Sequence, residues 1–168
     1  MGTSEWISLL LAIPTLIIVG LYFRLRRSLQ RTREIQEKQY RLTLLNEIVD
    51  WAIDAKTVSW EVTMSGGLPT TDRVREREHV ERMLDKYKTS TARSEYIRGI
   101  ALKFGGNLNL NTDTVVDKLD EIMELLVKYL SSQVKQQILK KCGIELNEKA
   151  SALIIEAMVI KNVELGLP

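Results

Sequence analysis

Few residues in this sequence are of types that do chemistry, and their spacing limits what they can do. His79 is the one histidine and Cys142 the one cysteine in 168 residues. A zinc site draws about four ligands from a local cluster, so none is expected. His79 lies in the charged stretch "RVREREHVERML" and reads as a surface helix position. Cys142 precedes Gly143 and reads as a small apolar residue at a helix end. A lone cysteine makes no internal disulfide, which suits a reducing compartment. Asn107, Asn109, Asn111 and Asp113 alternate as calcium-loop ligands do. The loop fails in detail: Thr112 stands at the glycine position and Lys118 at the closing acid. There is no G-x-x-x-x-G-K-[ST], H-E-x-x-H or G-x-S-x-G. Glu156, inside the apolar run "ALIIEAMVI", is expected to face outward or meet a lysine. The reading is no enzyme, no cofactor and no metal.

The remaining chemistry is electrostatic. From Arg24 to Arg41 there are seven Lys/Arg against two acids, a net +5 in a chain whose total is +2. Arg24, Arg26, Arg27, Arg31 and Arg33 crowd the start of that stretch. Before them, Trp6 to Phe23 carries no charge over 18 residues. At 1.5 Å per residue it spans roughly 27 Å, close to a ~30 Å hydrocarbon core. Trp6 marks one end and Tyr22 and Phe23 the other, where amphipathic rings favour the interface. Pro14 and Gly20 are tolerable within such a span. The leading "MGTSE" has no Lys or Arg, and "LYFRLRR" has no A-x-A-like site, so this reads as an uncleaved anchor.

The arginines set orientation by the positive-inside bias. Residues 1–5 are then an extracytoplasmic tail, 6–23 the transmembrane helix, and the bulk of the chain lies on the cytoplasmic side of a bacterial inner membrane. The same arginines can contact anionic lipid. Beyond Arg41 no basic stripe suggests nucleic-acid binding.

The elements that must position these residues are mainly helical. Residues 24–64 read as a basic juxtamembrane helix. Leu44, Ile48, Trp51, Ala55 and Val58 recur at three and four. In "TVSWEVTM" the period changes: Val58, Trp60, Val62 and Met64 alternate with polar residues, as in a short strand or a frayed helix end. "SGGLPTTD" is a turn and opens a helical domain over 65–168. A charged helix from Arg73 carries a thin stripe of Val74, Val80, Met83, Leu84 and Tyr87. "TSTARS" weakens it and Gly105–Gly106 ends its continuation. "NLNLN" then reads as an extended link with Leu108 and Leu110 inward and Asp113 or Thr114 as the next cap.

The clearest helix runs from Val115 to Cys142. Val116, Leu119, Met123, Leu126 and Leu130 form a coiled-coil-like seam, which the polar residues after it confine to a bundle. Gly143 is expected to terminate this helix and Asn147 to cap a last one, Glu148–Leu165, in which Ile154 and Met158 pack or self-associate.

A weak repeat links the two ends of this region. "LKFGGNLNLN" (102–111) is echoed by "LKKCGIELN" (139–147), giving two helix-Gly-link-helix units, 96–130 and 131–165. With the N-terminal span, "NEIVDWAIDAKTVSWE" (46–61) and "CGIELNEKASALIIEAMV" (142–159), this ending resembles the LLH-type phage holin family. The motifs cover the ends and part of the middle. Residues 66–95 and one repeat have no counterpart in that family's shorter members. The resemblance implies a single-pass protein that accumulates in the host cytoplasmic membrane, forms homo-oligomers and permeabilises it for lysis. The residues alone equally allow a membrane-tethered adaptor whose helical domain docks a cytoplasmic protein.

Overall fold

The computed structural model describes the backbone of residues 3–65, 73–130 and 136–167, and the side chains of 17–64, 77–130 and 137–167. The described residues form five helices in order: α1 Thr3–Ser65, α2 Arg73–Ala92, α3 Ser94–Phe104, α4 Gly106–Leu130 and α5 Gln136–Leu165. No strand occurs among the described residues. The chain divides into two compact units, Met1–Arg41 and Leu42–Pro168. The first holds the N-terminal part of α1. The second is an α-helical bundle that takes the rest of α1 as one of its helices.

Among the described residues no helix is long and apolar enough to cross a membrane. Trp6, Pro14 and most of the uncharged run lie outside the residues whose side chains are described. Of the proposed anchor, Tyr22 and Phe23 are exposed and meet edge-on, with ring centroids 6.1 Å apart.

The bundle is built from helices whose apolar residues return every three or four positions. On α1 these are Leu44, Leu45, Ile48, Trp51, Ala52, Ala55, Val58 and Val62, all buried. The strand reading of 57–64 fails here. Val58 and Val62 point inward while Trp60 and Met64, also four apart, stay exposed, so the alternation is two interleaved helical rows. The polar residues of the alternation are absorbed by the helix: Thr57 Oγ1 donates to the Ile53 carbonyl and Thr63 Oγ1 to that of Ser59.

Arg93 breaks the helix between α2 and α3, as "TSTARS" implied. The break frees the carbonyl of Ser90, which accepts the Arg93 backbone N–H at 3.3 Å. It also accepts the indole N–H of Trp51 at 3.0 Å. Trp51 is fully buried, so one side chain supplies core volume and places its own buried N–H on a carbonyl at the helix break.

Gly105 and Gly106 both adopt positive φ, 67° and 58°, and turn α3 into α4. No extended link follows. Helix α4 begins at Gly106, because Leu108, Thr112, Val115, Val116 and Leu119 share one buried face at helical spacing. Leu110, expected inward, is exposed. Thr112 is buried with its hydroxyl donated to the Leu108 carbonyl.

The expected helix Val115–Cys142 is not one straight element: α4 (Gly106–Leu130) and α5 (Gln136–Leu165) pack against each other, with residues 131–135 outside the described residues. Gly143 does not terminate it, and Asn147 caps nothing. Leu139, Cys142, Leu146, Ala150, Leu153 and Ala157 keep one seam in phase straight through that glycine. The reason glycine stands there is close approach. A Cβ on Gly143 would lie 2.6 Å from Thr63 Oγ1 and 3.0 Å from the Ser59 carbonyl of α1. The two glycine sites of the sequence repeat thus do different work.

Two substitutions separate these roles. Gly99, inside α3, has nothing within 4 Å of its Cβ position. Gly99→Ala should stabilise by about 0.5–1 kcal/mol through helix propensity. Gly143→Ala should destabilise by about 1–2 kcal/mol despite the same propensity gain, because Thr63 must abandon its hydrogen bond or α5 must retreat. Urea unfolding followed by circular dichroism gives both signs.

Candidate functional site

Three surfaces stand out. The first is basic. All side chains from Ile17 to Tyr40 are exposed. Arg24, Arg27 and Arg31, spaced three and four apart, share one face with Gly20 and Phe23. Arg26 and Arg33 are exposed too.

The second is a groove of about 480 Å³ between the end of the bundle part of α1 and α2. Trp60 and Met64, one turn apart, form one wall, and His79 and Met83 the other. Trp60 is 60% exposed and Met64 55%, while Met83 is buried at the base of its wall. Glu61 and Lys86 close one end as an ion pair of 2.5 Å between the two helices. Arg82, also exposed, lines the groove and spends its Nε on the Glu78 carbonyl at 3.3 Å. His79 Nε2 is buried without a hydrogen-bond partner among the described residues. The surface histidine read from the sequence is therefore half-buried in a groove wall.

The third surface is the outward face of α5. Ile155, Val159 and Val163 recur every four residues and are 64%, 52% and 72% exposed. Met158 lies beside them, 42% exposed. Of the residues read as packing, Val116, Leu119 and Leu126 are buried in the core, and Met123 and Ile154 pack against it. Leu130 sits at the rim and Met158 faces out. Met158 is one residue past Ala157, the buried centre of the α5 face, which turns it by about 100°.

The polar clusters are structural ties. Arg98 on α3 meets Glu95 at 2.8 Å, Asp113 at 3.0 Å and Asp117 at 3.1 Å, and the two aspartates belong to α4. The Glu95 hydrogen bond is the largest of the influences that hold the guanidinium charged. Lys118 on α4 meets Glu121 at 2.7 Å and Glu145 of α5 at 2.8 Å, showing that α4 and α5 run antiparallel. The hydrogen bonds that Lys118 donates to Glu121, then to Glu145, push it above the usual lysine range. Lys118 in turn holds Glu145 below its usual 4.5. Cys142 lies beside Glu121 at 3.6 Å. Burial first, then the Glu121 charge, raises its thiol, which makes it a poor nucleophile. Tyr87 is fully buried, its hydroxyl without a partner among the described residues. Burial, then Glu61, then Cys142 raise its ionisation far above the usual value.

The Glu145 pairing has a definite pH dependence. A carboxylate whose folded value is depressed stabilises the fold above its unfolded value, and that stabilisation is lost as pH falls through the folded one. Melts should therefore fall in temperature on acidification below about pH 4.5, the unfolded value for Glu145. Lys118→Met should blunt that fall. Lys128→Met, removing an exposed pair of 3.3 Å with Glu124, should not.

No known family, curated protein or solved structure matches this chain. The resemblance to LLH-type holins rests on the short sequence motifs alone. The surfaces must carry any functional reading.

Sequence reasoning missed the groove and the Trp51 anchor. The groove had a signal, Trp60 and Met64 at i, i+4, hidden by the strand-like alternation. Trp51 had none, since its acceptor lies 39 residues away across a helix break.

Proposed function

We propose that the chain is a single-pass protein of a bacterial cytoplasmic membrane that assembles with copies of itself in the manner of a holin. The observation that carries this is the α5 stripe. Ile155, Val159 and Val163 are large, apolar, aligned and uncovered on a bundle whose core is already filled. Contiguous apolar surface of this kind marks association sites. The exposed arginine face that follows the uncharged run supports the anchor, by setting topology and meeting anionic headgroups.

The test is regulated expression in a bacterium with a potential-sensitive dye. Depolarisation that is abrupt and timed by dose supports the holin reading. Steady accumulation with intact potential removes it. The adaptor reading then replaces it, and the groove beside Trp60 is the specific observation in its favour.

A further inference from the structure

We infer that the groove between α1 and α2 receives one short amphipathic helix of acidic character from another protein. The inference is independent of whether the membrane is breached. Its walls advance along two antiparallel helices one turn at a time. Trp60 and Met64 line one side, His79 and Met83 the other, in the form that accepts anchors at i, i+3, i+4 and i+7. From residue 79 to 86 the α2 wall runs roughly 10 Å, about two turns of a visiting helix. Methionines beside an exposed tryptophan offer an adaptable apolar floor.

The charge balance selects the partner. Glu61 is satisfied by Lys86 across the end of the groove. Arg82 has no ion pair among the described residues; its Nε is on the Glu78 carbonyl, and its two terminal guanidinium nitrogens remain for an acceptor at the rim. An apolar face flanked by carboxylates meets both features, while a cationic helix would set like charge against Arg82.

The probe is a synthetic helical peptide of about four turns, with leucines at the anchor spacing and flanking glutamates. It carries a fluorophore and is titrated against full-length protein in detergent by anisotropy. A second peptide has every glutamate replaced by lysine. The glutamate peptide should bind at least about tenfold more tightly, and more weakly as salt rises. Arg82→Glu, at an exposed helix position, should reverse the preference with the helical spectrum unchanged. Trp60→Ala should weaken the glutamate peptide by about tenfold or more. Equal binding of the two peptides, no saturable binding, or a preference unmoved by Arg82→Glu overturns the proposal. So does a change in oligomer size in Trp60→Ala without peptide binding to the parent protein, which would make the groove a contact between copies of this chain.

Discussion

Replacing Trp51 with alanine is expected to cost the bundle about 3–5 kcal/mol, the range for deleting a buried large aromatic. That is a large share of the 5–15 kcal/mol typical of a whole domain. Two losses combine. The indole fills the centre of the core at 0% exposure. Its buried N–H also loses its hydrogen bond to the Ser90 carbonyl, and Ser90 itself is buried. Trp51→Phe separates them. It keeps most of the apolar volume and gives up the hydrogen bond, while the Ser90 carbonyl retains the Arg93 backbone N–H, so it should cost about 0.5–1.5 kcal/mol. Urea unfolding of the full chain in detergent, followed by circular dichroism, measures both. A Trp51→Phe variant as unstable as Trp51→Ala would show that the hydrogen bond, not the volume, holds the α2–α3 break in place.

Leu126→Asp is expected to be of similar or larger effect. Leu126 is fully buried on α4. An unpaired buried charge costs several kcal/mol, about 3–5 in measured cases. The comparison that gives this meaning is Met158→Asp. The sequence pattern groups Met158 with Leu126 as a packing residue, yet it faces solvent at 42% exposure. Its substitution should leave the melting curve within about 0.5 kcal/mol of the parent. If the two variants unfold alike, α5 is rotated from the orientation described.

How legible the fold was depended on whether the deciding signal was local. The seam on Val116, Leu119 and Leu126 was readable because it repeats within one helix. The turn at Gly105–Gly106 was readable because two adjacent glycines mark a positive-φ corner. Gly143 was not readable. Its sequence context copies the first turn, and its actual role depends on Ser59 and Thr63, residues far along the chain that press against it. The 57–64 segment misled because interleaved rows at i, i+4 imitate a period of two over so short a stretch. The Arg98 network was within reach: once the Gly105 corner is placed, Asp113 and Asp117 at i, i+4 must face α3. The groove needed two helices in register, which no single-segment pattern carries.

The central claim is assembly through the outward face of α5. Crosslinking of the full-length protein in membranes, across a range of expression levels, tests it most directly when the parent is compared with the Ile155→Lys, Val159→Lys, Val163→Lys triple variant. These three side chains are exposed, so the variant keeps its core. The account predicts species larger than a dimer for the parent. It predicts their loss in the variant, which remains in the membrane fraction and retains its helical spectrum. A parent that stays monomeric at every expression level, or a variant that crosslinks into the same large species, contradicts it.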